Sequence, residues 1–313
     1  MTTPNKKGRQ DYYLNKQLVR SAFDQAATRY NSAAVLQREV GQRILERLDL
    51  IRVKPQRILD AGAGTGNFSV ALSRRYAQIP VIALDISVAM LKVAQRHASA
   101  NSPWRWLPHL RTKFNKQNFI CGDIERLPMA DNCVDMIFSN LTLQWCNDLE
   151  RVFEEFRRIL KPGGLFMFST FGPDTLKELR ECWQGVDHFT HVNAFIDMHD
   201  IGDALLRNRF SEPVMDVEHF TLTYKDINIL MHDLKLLGAN NVTAGRRRTL
   251  TGKGRFNTLV ESYEKYRTDG LLPASYEVVY GHAWIPLKKE QVQHPAQEAR
   301  IPLEQLRNRS RQK

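Results

Sequence analysis

The chain has 313 residues, 42% of them hydrophobic and 25% charged, which is enough apolar material to bury a core and excludes wholesale disorder. Lys and Arg number 45 against 34 Asp and Glu, and the resulting net charge of +11 favours an acidic partner: nucleic acid, an anionic membrane surface or an acidic protein. Charges interrupt each apolar run before it reaches membrane-spanning length, and the basic N-terminus lacks the apolar stretch of a secretory signal. Cys121, Cys133, Cys146 and Cys182 have neither CxxC spacing nor His partners at ligand spacing. They are expected to be reduced thiols of a cytoplasmic protein with no metal site.

Residues 1–13 are expected to fray. From 14 to 50 the pattern is helical: Val19, Phe23, Ala26, Ala27, Tyr30, Ala34, Gln37 and Val40 recur at intervals of three and four. Tyr30 and Gln37 stand out in that stripe because their polar tips need partners. The period then changes. Arg57-Ile58-Leu59-Asp60 runs into a glycine-rich turn and a helix near 68–76. Apolar runs at 81–85, 118–121, 134–139 and 165–170 follow, with helices at 88–97 and 149–160 between them. Lys161-Pro162-Gly163-Gly164 ends the second of those helices. Short strands alternating with helices predict an α/β fold with a doubly wound, mostly parallel sheet. Beyond 170 the pattern predicts a helix starting at Pro173, helices over 198–208, 227–237 and 256–267, and strands over 214–224 and 276–285. No linker interrupts residues 14–286. A single domain is therefore expected, with a nucleotide-binding half at about 50–170 and acceptor-binding elements at 14–49 and 171–275. The polar stretch 287–313 is expected to be disordered. Residues 98–117 look inserted, and Trp104, Arg105, Trp106, His109, Arg111, Lys113 and Lys116 suit either nucleotide stacking or a loop pinned by two tryptophans.

The strongest chemical signal is Asp60-Ala61-Gly62-Ala63-Gly64-Thr65-Gly66, a glycine-rich turn at the carboxyl end of the first strand, where open α/β sheets bind ligands. Dinucleotide sites use a similar turn. Here Asp60 directly precedes it, and a carboxylate in that place suits a cation and repels a pyrophosphate. Asp85 closes the second strand, where it can accept from two ribose hydroxyls. Cys121-Gly122-Asp123-Ile124 closes the third, with Asp123 placed for an adenine amine and Ile124 for the ring face. Singly, Asp85 or Asp123 would serve as a helix cap. In series with Asp60 they point to S-adenosylmethionine, whose sulfonium and ammonium are positive.

This layout resembles the class I S-adenosylmethionine-dependent methyltransferases, through Leu59 to Gly66, Asp85, Asp123, Asn140-Leu141 and Leu160-Lys161-Pro162-Gly163-Gly164. The resemblance implies a Rossmann-like seven-stranded sheet, to which 214–224 and 276–285 add the last two strands, with an N-terminal helix and helical insertions. It implies cofactor contacts at Asp60, Gly62, Gly64, Gly66, Asp85, Asp123, Ile124 and Asn140.

Further stretches narrow the family. Arg20-Ser21-Ala22-Phe23-Asp24-Gln25-Ala26-Ala27-Thr28-Arg29-Tyr30, Ser139-Asn140-Leu141-Thr142-Leu143-Gln144-Trp145, Phe171-Gly172-Pro173-Asp174-Thr175-Leu176, His191-Val192-Asn193 and Tyr280-Gly281-His282-Ala283-Trp284 are similar to malonyl-acyl carrier protein O-methyltransferases of biotin synthesis. The arginine hydroxylases that assist complex I assembly share the Phe171 segment. The implied reaction methylates the free carboxylate of a malonyl thioester on acyl carrier protein or coenzyme A, giving the ester that primes pimeloyl and biotin synthesis. A carboxylate is ionised at neutral pH and needs no base, so a rate flat from about pH 6 to 8 is expected. Tyr30, Gln37 and Trp145 are the candidate lid and acceptor-pocket residues. Arg20, Arg29, Lys177 and Arg180 are candidate cations for the acceptor carboxylate. The run Arg246, Arg247, Arg248, Lys253 and Arg255 suits docking of an acidic carrier protein. A methyltransferase of a quinone or lipid, or an RNA-binding or RNA-methylating protein, is the alternative; neither nucleic acid nor membrane is the expected partner.

Overall fold

The computed structural model describes residues 12–101, 117–239, 241–247, 249 and 251–287. Most of the inserted aromatic segment, the tail from 288 and Arg248 lie outside the described residues. Strands β1 (Ile58–Ala61), β2 (Val81–Asp85), β3 (Gln117–Cys121), β4 (Val134–Asn140), β5 (Leu160–Phe171), β6 (Ser211–Tyr224) and β7 (Leu272–Trp284) form one seven-stranded sheet. Its order is β3–β2–β1–β4–β5–β7–β6. The first five strands pair in parallel, and β7 runs antiparallel between β5 and β6.

Burial explains the pattern in the sequence. Each residue of β1 and β2 is buried, because the middle of a parallel sheet is covered on both faces and its strands read as unbroken apolar runs. At the edge, β6 alternates, as a strand with one solvated face does. On one face Met136, Phe138, Leu165 and Met167 meet Leu36, Val40 and Ile44; on the other Ile137, Phe166 and Phe168 meet Phe153 and Phe156.

Helices α4 (Asn67–Arg75), α5 (Val88–Ala100) and α6 (Leu149–Ile159) connect the parallel strands close to their expected bounds. Further on, α8 (Met198–Arg207) precedes β6, and α9 (Ile227–Leu236) and α10 (Lys253–Glu264) lie between the antiparallel β6 and β7, all near their expected bounds. Elsewhere the structure departs from the expectation. The stretch 14–50 is three helices, α1 (Lys16–Ala26), α2 (Tyr30–Ala33) and α3 (Val35–Arg47), followed by a 3₁₀ turn. Within α2 the Asn31 side-chain oxygen accepts from Thr65 Oγ1 (2.7 Å) and Asn67 Nδ2 (3.2 Å), tying this short helix to the glycine-rich turn. The helix expected from Pro173 starts four residues later, as α7 (Lys177–Gln184). Residues 172–176 instead bond along β7, with Leu176 N donating to Ser275 O (2.7 Å) and Thr175 Oγ1 donating to Glu277 O (3.0 Å). The Pro-Gly-Gly segment is an irregularity inside β5, which pairs through Leu160 with Val134 before it and through Leu165 with Met136 after it.

The sheet is tightly packed where Phe168 of β5 lies opposite Gly281 of β7. A Cβ at Gly281 would sit 2.3 Å from the Phe168 ring and 2.9 Å from Met215 Sδ. Gly281→Ala is expected to destabilise the sheet by about 1–3 kcal/mol through overpacking. Thermal unfolding should show this as a midpoint lowered by roughly 2–10 °C, and an unchanged midpoint would show that the ring moves aside freely.

Candidate active site

The carboxyl ends of β1 to β4 converge on one edge of the sheet, and α1 to α3 cover it. The turn after β1 crosses towards β2, with Gly62 N and Ala63 N both donating to Leu84 O (2.8 and 2.9 Å). Its three glycines act differently. Gly62 has φ +81°, and a Cβ there would lie 2.1 Å from Thr142 Oγ1, so only glycine fits beneath the loop after β4. Gly64 has φ +53° and open space where a Cβ would be, which leaves its backbone accessible to a ligand. Gly66 lines neither hollow at this edge. A Cβ there would lie 2.7 Å from Ala94 Cβ, so it lets α4 approach α5.

Two joined hollows occupy this edge. A narrow crevice of about 80 Å³ runs between Asp85, Asp123 and Ile124 on the sheet side and Lys16, Phe23 and Tyr30 on the cover. A second chamber lies over Asp60, Gly62 and Thr65, and Tyr30, Gly64 and Asn140 line both. The three carboxylates therefore stand along a bent site, Asp60 at one end and Asp123 at the other.

Asp85 accepts from Gly64 N at one oxygen and from Ser87 N at the other, each at 2.8 Å. It thus fixes the glycine turn and the approach to α5 together. Burial pushes its carboxyl up to about 6 against those hydrogen bonds. Asp60 is 2% exposed and accepts from Ser69 Oγ (2.5 Å); burial pushes it up to about 7. Asp123 Oδ1 accepts from Glu125 N (3.0 Å) and pairs with Lys16 (3.1 Å), which also reaches Glu125 (2.9 Å). Sequence reasoning missed Lys16. It also missed Asp24, the lone acidic residue of α1, which accepts from Ser87 Oγ (2.5 Å) and Ala89 N (3.1 Å).

Asn140 stands where expected, but its amide is committed. Nδ2 donates to Gln37 O (2.9 Å) and Oδ1 accepts from Ser169 Oγ (2.8 Å), so the side chain pins α3 to β5. Gln37 lines the chamber over Asp60 and also a cavity of about 620 Å³ beyond it, and its Oε1 is buried without a hydrogen-bond partner. Trp145 lines both the crevice and that cavity and packs edge-on against Phe23, ring centroids 5.1 Å apart. Tyr30 is half-buried; desolvation and the charge of Asp85 push its phenol far above its ordinary value, so it is a hydrogen-bond donor and not a base.

The expected acceptor cations lie elsewhere. Arg180 donates to Pro173 O (2.8 Å) and Thr175 O (3.0 Å), Lys177 pairs with Asp174 (3.5 Å), and Arg20 lies beside Asp24 (3.8 Å). Neither these three nor the exposed Arg29 lines the cavity. Within the basic run Arg247 turns inward, 3.9 Å from Asp187, and Arg246 donates to Thr243 O (3.0 Å), while Lys253 and Arg255 are exposed.

A bound S-adenosylmethionine can be tested against these residues. Gln37 Oε1 and Asp60 form an acceptor set for an ammonium group, Asp85 and Asp123 retain lone pairs for hydroxyl and amine donors, and Gly64 leaves room at the turn. The group fits this donor set. The crevice, at about 80 Å³, is small beside ordinary ligand pockets of about 300–1,000 Å³.

Residues 59–168 match the methyltransferase domain family. A putative methyltransferase from Bacillus halodurans has the same fold, with a TM-score of 0.54 at 17% identity over 78% of this chain and 98% of that one. Among the described residues no helix is long and apolar enough to cross a membrane. A malonyl-acyl carrier protein O-methyltransferase from Nitrosospira multiformis is 48% identical over 297 residues, covering 94% of this chain and 97% of its own. One from Methylovorus sp. is 52% identical over 275 residues, covering 88% and 90%. Alike in sequence over almost their full lengths, these relatives place the chain in the malonyl-acyl carrier protein O-methyltransferase family.

Proposed function

We propose that the protein transfers a methyl group to the free carboxylate of malonyl-acyl carrier protein, in the cytoplasm. S-adenosylmethionine is the methyl donor and supplies, when bound, an electrophilic methyl on a cationic sulfur. The observation that carries the reading is the passage from the donor site to the large cavity. Tyr30, Gln37, Asn140 and Trp145 line it, and none of them is a base at neutral pH. An amine or phenol acceptor would need its proton removed at this point, whereas a carboxylate arrives ionised. Asp60 and the orphaned Gln37 Oε1 hold the donor's ammonium, Asp85 its ribose, and Asp123 with Ile124 its adenine. Gly66 and the side chain of Asn140 serve this site through packing and hydrogen bonding to protein. Trp145 and Phe23 exclude water where opposite charges meet and cancel. Incubation with S-adenosylmethionine, followed by mass spectrometry, should convert malonyl carrier protein to its methyl ester and leave acetyl carrier protein untouched. Equal methylation of both would refute the carboxylate assignment.

The buried carboxylates add a pH dependence to cofactor binding. In the free protein Asp60 and Asp85 hold protons up to about 7 and about 6, whereas in an unfolded chain they lose them near 3.8. The folded state thus binds more protons through this window, and stability falls as pH rises across it. A cationic ligand favours the ionised forms, so its binding releases protons. Affinity for S-adenosylmethionine should rise on the order of tenfold from pH 5.5 to 7.5 and then level off, while turnover with cofactor and carrier protein both saturating stays flat from about pH 6 to 8. Asp85→Ala should weaken binding at least roughly tenfold. Calorimetry in buffers of different ionisation enthalpy checks both; no proton release and unchanged affinity of the variant would remove Asp85 from the site.

The carrier protein is acidic as a class, and Lys253 and Arg255 are exposed on the segment that follows Thr251 at the large cavity. Charges at an interface rim act mainly on encounter and salt dependence. Lys253→Glu combined with Arg255→Glu should raise KM for malonyl carrier protein at low salt, with little change for S-adenosylmethionine. An unchanged KM would show that docking occurs elsewhere.

A further inference from the structure

The large cavity poses a solvation problem. Leu36, Phe171, Leu179, Trp183, Val192 and Phe195 contribute to its wall, and a carboxylate entering such a lining loses water and needs a donor in exchange. Among the described lining residues, Lys235 and His191 can present a cationic N–H. Lys235 is exposed at the last turn of α9. His191 is held in place, its side chain 13% exposed.

Two contacts fix the His191 ring. It lies flat on Trp183, with centroids 3.7 Å apart and planes 3° from parallel. Nε2 bonds to Asp187 Oδ1 at 2.7 Å. The side chain of Asp187 is 9% exposed, and the Arg247 guanidinium approaches its other oxygen at 3.9 Å. Burial pushes the Asp187 carboxyl up, but the hydrogen bonds from His191 and from Phe189 N, with smaller help from the nearby positive charges, outweigh it and hold the group below its ordinary range. The carboxylate therefore stays ionised and keeps Nε2 occupied. Nδ1 is left as the ring nitrogen without a partner among the described residues.

We propose that His191 is the donor in the acceptor cavity that receives the free carboxylate of the acyl group, and that Asp187 is the residue that positions it. The proposal rests on the carboxyl-methylation reading above. In the imidazolium both ring nitrogens donate, one to Asp187 and one to the substrate. A single-point donor also suits the chemistry. A bidentate arginine would occupy both carboxylate oxygens, whereas one imidazole N–H holds one and leaves the other free to attack the methyl carbon. Among the described residues no arginine lines this cavity.

The test compares binding of malonyl carrier protein with binding of malonamyl carrier protein, in which a carboxamide replaces the carboxylate, to wild type, His191→Ala and Asp187→Asn. S-adenosylmethionine affinity is measured on each protein as a control for folding. Wild type should prefer the malonyl form by about tenfold or more, the range of a hydrogen bond to a charged group. His191→Ala should lose that preference while retaining cofactor affinity, and Asp187→Asn, which keeps the ring and its stacking, should lose part of it. Loss of affinity for both ligands equally would mean that His191 only shapes the wall, and an undiminished preference would mean that the carboxylate binds elsewhere; either result overturns the proposal. If His191→Ala fails to bind cofactor, the same comparison on His191→Gln and Asp187→Asn decides it: a reduced preference supports the proposal, and an undiminished one overturns it. Failure of wild type to methylate malonyl carrier protein would overturn the underlying reading, and this proposal with it, through a result seen without any variant.

Discussion

Both oxygens of Asp85 are held by backbone amides, one from the glycine turn after β1 and one from the residue that caps α5. A short strand end thereby dictates the shape of two loops that approach from opposite sides. The turn must close over Leu84, Gly62 must pass under Thr142, and Gly64 is left facing open space. The same carboxylate is buried, and Asp24 stands close enough to raise it further. The site therefore concentrates negative charge that the fold alone leaves unneutralised. A cationic ligand relieves that condition, which is why the donor's chemistry can be read from the protein's own discomfort.

The cover has two kinds of attachment. On the α3 side Asn140 ties Gln37 to Ser169, so the floor between donor and acceptor belongs to the rigid sheet. On the α1 side the ties are a lysine ion pair, an aspartate accepting from Ser87 and Ala89, and the Phe23–Trp145 contact. The two attachments differ in kind: one is an amide and hydroxyl network running into the sheet, and the other combines an ion pair, hydrogen bonds and an aromatic contact at the surface.

Much of this was legible in the chain. Strand β2 has the expected bounds, and β1, β3 and β4 lie within a residue or two of theirs; β1, β2 and most of β4 are buried and leave a nearly unbroken apolar signal, while β3 is a half-exposed edge strand read from its short apolar run. Asp60, Asp85 and Asp123 were legible because a strand followed by a turn puts an acidic residue in a predictable place. The stretch 14–50 was misread as continuous because its apolar spacing survives the breaks, and the long-range bonds of Asn31 that hold the short middle helix have no local signal. Residues 172–176 were misread for a similar reason, since β7, a hundred residues away, takes the hydrogen bonds that a helix would use. Lys16 and Asp187 gave no local signal at all, and His191 stood out only as part of a family-like stretch, with no role attached. Their significance is purely a matter of what folds against them, and a charged or aromatic residue in a loop looks the same whether it faces solvent or a cavity.

The pairing of Lys16 with Asp123 and Glu125 joins two elements with side chains 19–30% exposed, so surrounding ions reach it. Such pairs contribute up to about 1 kcal/mol and weaken as salt rises. Asp123 is thus tied to α1 by an ion pair that rising salt loosens, and how firmly α1 is held to the loop after β3 becomes a property of ionic strength.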